Sequence, residues 1–165
     1  MITQARLKEI LKYTPETGIF IWAKTRPKCP IGKIAGNTRK DGYVTIRLDG
    51  SRYFAHRLAW LYIFGEFPPM EIDHIDRNPS NNSISNLRLA EPSQNQANRG
   101  AQKNNSSGFV GVRKSSSSGK WFAGTVWHGK YYHAGSFASK EQAAVAYIKK
   151  CEELKGAFAP QAMAA

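Results

Sequence analysis

Asp73 and His74 stand side by side in Glu71-Ile72-Asp73-His74-Ile75-Asp76, and this pair has the means for chemistry. A carboxylate there can hold a hard divalent cation, while the neighbouring imidazole takes a proton from water. A second oxygen ligand is then required. The amide of Asn95, in Gln94-Asn95-Gln96-Ala97-Asn98, can supply it from the start of a short helix that faces the same cation. Asn86 has a different use: its amide can bond loop backbone on both sides and so hold His74 in one orientation. Eleven residues separate His74 from Asn86, and eight separate Asn86 from Asn95. Together the four residues describe a one-metal site of the kind nucleases use. Asp76 reads as a cap or brace for the loop, and Asn78, Asn81 and Asn82 read as Asx-turn residues. His56, opening a helix beside Arg57, reads as a packing or hydrogen-bonding residue outside the metal shell.

This pattern resembles the HNH, or ββα-metal, endonucleases, in the form found in phage homing-type enzymes whose third position is often Asn instead of His. The resemblance runs from about Leu7 to Arg99 and takes in Asp41-Gly42-Tyr43, His56-Arg57-Leu58-Ala59-Trp60 and Ser85-Asn86-Leu87-Arg88. It implies metal binding by Asp73 and Asn95, a general base at His74 and a positioning role for Asn86. It also implies hydrolysis of DNA phosphodiesters, leaving 5′-phosphate and 3′-hydroxyl ends.

Composition agrees with a polyanionic partner. The 165 residues carry 24 Lys and Arg against 12 Asp and Glu, a formal charge of +12, which favours nucleic acid through counterion release. The length suits one ordinary domain or two small ones. No apolar run is long enough to span a bilayer and the amino terminus lacks a signal-peptide core, so the sequence predicts a cytoplasmic protein, in a bacterial host if phage-encoded. Cys29 and Cys151 are far apart and read as reduced thiols, without a zinc or disulfide framework. A metal here is then oxygen-bound, one Mg²⁺ or Mn²⁺ ion per site.

The elements that must position the site follow from local pattern. Thr3 caps a short helix carrying Leu7, Ile10 and Leu11, and Ile19-Phe20-Ile21-Trp22 reads as a strand, giving a scaffold. Tyr43 to Leu48 alternates, Asp49-Gly50 turns, and Arg52-Tyr53-Phe54-Ala55 returns, a hairpin whose Arg47 and Arg52 are placed to flank DNA. Helical spacing from His56 to Phe64 stops at Gly65 and Pro68-Pro69. A strand around Ile72, an Asn-rich loop, a return strand at Leu87-Arg88-Leu89 and a helix opening near Pro92-Ser93 follow. Neighbours on a regular strand point to opposite faces, so Asp73 and His74 share a site only if the strand ends or bends there.

Residues 100–108 are polar, small and aperiodic and read as a linker between domains at 1–99 and 109–159, with a tail at 160–165. Residues 101–165 hold 9 basic and 3 acidic side chains, and none of the acidic ones lies between Ala101 and Ala138, a distribution that suits a face laid on phosphates. Three short strands with Gly-rich turns, Gly108–Arg113, Gly119–Ala123 and Gly129–Phe137, precede a helix capped by Ser139 with a small face of Ala143, Ala144, Ala146 and Tyr147. This span resembles the Apetala-type, or ethylene-response-factor, DNA-binding domain, which implies a sheet in the major groove with Arg113, Lys120 and Trp121 as contacts. Val126, Ala134 and Ile148 depart from that family's usual residues. Trp121 and Trp127 read equally as core aromatics, and Lys120 equally as a solvated turn charge.

The sequence therefore predicts an α+β protein: an HNH nuclease domain joined to a three-stranded antiparallel sheet packed on one helix. Its expected partner is double-stranded DNA, with no membrane and no obligatory protein partner. The alternative is a DNA-binding regulatory protein with an inactive nuclease half; an RNA-binding regulator is a weaker third reading, because no RNA module is recognisable.

Overall fold

The computed structural model describes residues 1–25, 27, 29–97 and 105–159, and the chain divides into two compact units, Met1–Ala90 and Glu91–Ala165. The boundary falls at the end of a strand, nine residues before the division the composition suggests. Most of the expected linker, 100–104, and the tail lie outside the described residues. The rest of that linker is a tight turn: the Asn105 side-chain oxygen accepts from the Ser107 and Gly108 backbone N–H groups, both at 2.9 Å, and Ser107 is buried.

In the first unit, helix α1 (Gln4–Ile10) starts where Thr3 Oγ1 accepts from Arg6 N. Leu11 does not extend this helix; it opens strand β1 (Leu11–Thr14), which pairs antiparallel with β2 (Ile19–Trp22). A short strand β3 (Asn37–Thr38) joins β4 (Val44–Leu48) and β5 (Ser51–Phe54) in an antiparallel sheet. The turn between β4 and β5 holds Asp49 at φ 46° and Gly50 at φ 83°, the left-handed pair that Asp-Gly accommodates in a two-residue hairpin. Helix α2 (Ala55–Phe64) buries Ala55, Leu58, Ala59 and Leu61 on one face and ends at Gly65, whose left-handed backbone lets its N–H reach the Leu61 carbonyl. Strands β6 (Glu71–His74) and β7 (Leu87–Ala90) form a separate antiparallel pair, joined by the Asn-rich loop and a 3₁₀ turn at Ile84–Asn86. The core that supports them is built from Leu7, Leu11, Ile46, Leu48 and Leu58, all essentially inaccessible, with Ile72 and Leu87 contributed by the β6–β7 pair.

The second unit opens with helix α3 (Pro92–Ala97). Strands β8 (Val112–Lys114), β9 (Trp121–Trp127) and β10 (Lys130–Phe137) then form an antiparallel meander, and helix α4 (Lys140–Lys155) packs on it. Ser139 Oγ caps α4 by accepting from Gln142 N at 3.2 Å. The small face of α4 is used as the pattern predicts: Ala143, Ala144 and Tyr147 are buried with Val112, Ala123 and Cys151. Gly111 makes this possible. A side-chain carbon there would lie 2.1 Å from the Tyr147 ring, and its φ of 71° is one that other residues resist. The architecture is the expected α+β arrangement of small antiparallel sheets and helices. Among the described residues no helix is long and apolar enough to cross a membrane.

Candidate active site

The site grows from the end of β6. Ile72, Asp73 and His74 are all buried, so both faces of this short strand are covered, and the strand stops at His74. The pairing register is regular to that last residue, with Asp73 opposite Arg88 and His74 opposite Leu87. The irregularity lies just beyond it, where the chain turns with Arg77 at φ 62° and Arg77 N bonded to the His74 carbonyl at 3.0 Å.

Asn86 clips the loop shut. Its Oδ1 accepts from Asp76 N at 3.0 Å, and its Nδ2 donates to Asp76 Oδ1 and to the Asn81 carbonyl, both at 2.9 Å. Its own carbonyl accepts from Ile75 N at 2.9 Å, so one residue ties the segment after His74 to the loop that returns to β7. The Asp76 carboxylate is a brace: it accepts from Asn78 N at 2.8 Å and Asn81 Nδ2 at 2.7 Å as well as from Asn86. Burial pushes its pKa up, but these hydrogen bonds outweigh burial and hold it below the usual carboxylate value.

Asp73 is only 4% exposed and is ion-paired across the strand pair: Arg88 Nε and Nη2 reach its Oδ2 at 2.8 and 2.6 Å. Arg88 was not singled out from the sequence. Its position directly opposite Asp73 depends on a register that the long loop conceals. His74 has two kinds of neighbour. Its Nε2 lies 3.3 Å from Asn82 Oδ1, and its ring meets those of His56 and Tyr43 edge-on, with centroids 5.2 and 5.8 Å away. Burial lowers the His74 pKa, against the opposing effects of the Asn82 contact and the Asp76 and Asp73 charges, so the imidazole is neutral and able to accept a proton at neutral pH.

His56 is a packing residue, as expected, yet one with a polar cost. Stacked on Phe54 at 5.3 Å, it is 8% exposed, and its Nδ1 has no hydrogen-bond partner. Burial, reinforced by His74 and Arg57, pushes its pKa down to about 3. Asn82, assigned from the sequence to turn-making alone, is 2% exposed and touches His74.

Asn95 lies on α3, in the second unit, with its N–H bonded to the Glu91 carbonyl at 2.9 Å. The geometry described for the first unit therefore concerns Asp73, His74 and Asn86. Among the described residues no three His, Cys, Asp or Glu side chains cluster as a metal site.

The sequence-assigned DNA contacts divide. Arg47 and Arg52 are exposed and directly opposed across β4 and β5. Arg113 is exposed on β8, and Lys120 is exposed just before β9. Trp121 is half-buried, aligned with Lys114 and Phe137, and packs against the core of the second unit, in keeping with the core reading the sequence also allowed. Alternation places its neighbour Phe122 beside Arg113 instead, with the guanidinium 5.7 Å from the Phe122 ring and the His133 ring at 5.9 Å.

The HNH endonuclease family model matches residues 53–97, the span from β5 through α3 that carries Asp73, His74, Asn86 and Asn95. Protein 3.8 of Escherichia phage T7 is 36% identical over 105 residues, covering 63% of this chain and 86% of that protein. An uncharacterized HNH endonuclease, L560, of Acanthamoeba polyphaga mimivirus is 40% identical over 122 residues, covering 73% of this chain but 62% of its own length. The HNH homing endonuclease I-HmuI, in a structure describing DNA binding and cleavage, is 27% identical with a TM-score of 0.41, over 53% of this chain and 50% of that one. Residues 53–97 thus form an HNH endonuclease domain, and the chain is related to the phage T7 protein over most of that protein's length.

Proposed function

We propose that the protein is a metal-dependent DNA endonuclease in which His74 is the general base. The observation that carries this reading is the placement of His74, neutral and buried, beside Asp73 at the last residue of β6, with Asn86 bracing the loop that follows. Asp73 is the proposed metal ligand in the first unit, and Asn95 enters as the second ligand from the sequence pattern alone. Mg²⁺ or Mn²⁺ fits these oxygen donors; when bound, the cation would stabilise charge on the leaving 3′ oxygen. His74 removes a proton from the attacking water, in line with the scissile phosphorus. Asn86 holds the loop so that the His74 ring keeps its place, and Arg88 balances the Asp73 charge. Because protonated imidazole cannot accept a proton, activity falls on the acid side, and the lowered pKa of His74 moves that fall below the reference value of about 6.5.

The second unit is proposed as the targeting module, with an Apetala-like sheet presenting Arg113 and Lys120 to DNA phosphates and bases. Joining it to a weak cutter raises the local concentration of DNA at the cleavage site. The test is incubation of supercoiled plasmid and bacterial genomic DNA with wild type and His74→Ala, each with Mg²⁺ or with chelator. Nicked or linear product from the wild type with metal, and none from His74→Ala, supports the nuclease. Tight binding by both proteins without cleavage of any DNA supports a DNA-binding regulatory protein instead.

A further inference from the structure

We propose that Asn82 is a positioning residue that sets the tautomer of His74, making Nδ1 the nitrogen that takes the proton. This rests on the reading of His74 as the base and specifies how that base is prepared. An amide can present either its oxygen or its nitrogen to an imidazole, and only its other contacts decide which. In Asn82 the Nδ2 donates to the Ser80 carbonyl at 3.0 Å, so the atom turned to His74 is Oδ1, an acceptor, 3.3 Å from Nε2. An acceptor there requires the hydrogen on Nε2. Neutral imidazole carries one N–H, so Nδ1 then carries the lone pair.

Asn82 is itself held from outside the loop. The Tyr13 hydroxyl donates to the Asn82 carbonyl at 2.7 Å, and Ile84 N donates to the Pro15 carbonyl at 2.9 Å. Gly18 lies so close that a side-chain carbon there would sit 2.2 Å from the Asn82 carbonyl carbon. The β1–β2 hairpin, distant in sequence from the catalytic pair, thus fixes the loop residue that orients the base. On the opposite side the rings of His56 and Tyr43 pack edge-on against the imidazole and restrict its rotation.

The test is nuclear magnetic resonance of full-length protein with nitrogen-15 histidine, without DNA or metal, at a pH where His74 is neutral. His74→Ala identifies the His74 signals among the four histidines. The expected result is a protonated Nε2 with a slowly exchanging, hydrogen-bonded resonance. That resonance is lost in Asn82→Leu and kept in Asn82→Asp, which retains the acceptor. Alongside it, kcat for DNA cleavage falls about 10- to 100-fold in Asn82→Leu with KM unchanged, the scale seen when an orienting partner is removed. A wild-type His74 protonated on Nδ1 overturns the proposal, whether or not any variant folds. So does an Asn82→Leu protein that keeps both the Nε2 signature and full kcat. Because the tautomer is read without DNA, failure of the protein to cut DNA sinks the nuclease reading and leaves this result standing.

Discussion

The two units bury different things. In the first, Asp73, His74, His56, Asn82 and Asn86 are all buried beside an apolar core. In the second, the buried set is mainly Val112, Ala123, the small face of α4 and Tyr147, with Lys155 the one buried charged side chain among the described residues of that unit, its Nζ donating to Thr125 Oγ1 at 2.7 Å. Arg113, Lys120 and Lys130, by contrast, are exposed. Burying polar groups costs stability unless each is partnered, and a fold does so where chemistry needs a fixed geometry. Keeping charges in solvent costs little and serves long-range attraction of a polyanion. On the proposed reading, the first unit serves a reaction and the second serves adhesion.

That contrast can be broken most severely at the base. His74→Ala should reduce the single-turnover cleavage rate by about 10²- to 10⁴-fold, the range for a lost general base, while DNA affinity in a gel-shift titration stays the same. Next is Arg88→Ala, which removes the guanidinium paired with the buried Asp73 carboxylate and should cost about 3 kcal/mol in urea denaturation. If Asp73 also holds metal, saturating Mg²⁺ should recover part of that loss, since a cation then replaces the guanidinium.

A smaller effect separates the units by pH. His56 has a folded pKa of about 3 against an unfolded value near the reference ~6.5. In that window the unfolded chain binds the extra proton, so stability is complete above the unfolded value and is lost as pH falls toward 3. The slope is at most about 1.4 kcal/mol per pH unit for one histidine. Denaturation of wild type and His56→Phe between pH 7 and 4 should show a flatter curve for the variant; parallel curves would remove His56 as the cause. The smallest effect belongs to the second unit. Arg113→Ala should weaken DNA binding by about 1 kcal/mol and reduce the slope of log affinity against log salt by roughly one, without moving the melting temperature.

Local chemistry was legible in the sequence, and side-chain geometry across loops was not. The Thr3 and Ser139 caps, the Asp49-Gly50 turn, the stop at Gly65 and the β6–β7 strands follow from residue types within a few positions of one another. So does the bracing by Asn86, because an amide in that loop has few other uses. The role of Asn78 was readable too: its Oδ1 accepts from Ser80 N at 3.1 Å, an ordinary Asx turn. Asn82 carries the same local signal, but its contact with His74 depends on the β1–β2 hairpin pressing on the loop from 69 residues away. Arg88 was hidden by the register across the loop, which sets it directly opposite Asp73.

The central claim, that the first unit uses His74 as a base, is tested most directly by a single-turnover reaction on DNA already bound. Wild type and His74→Ala are brought to equal occupancy on labelled duplex in chelator, and Mg²⁺ in excess starts the reaction. The account predicts 5′-phosphate and 3′-hydroxyl products from the wild type and at least a hundredfold slower cleavage by His74→Ala. Equal rates from the two proteins would contradict it.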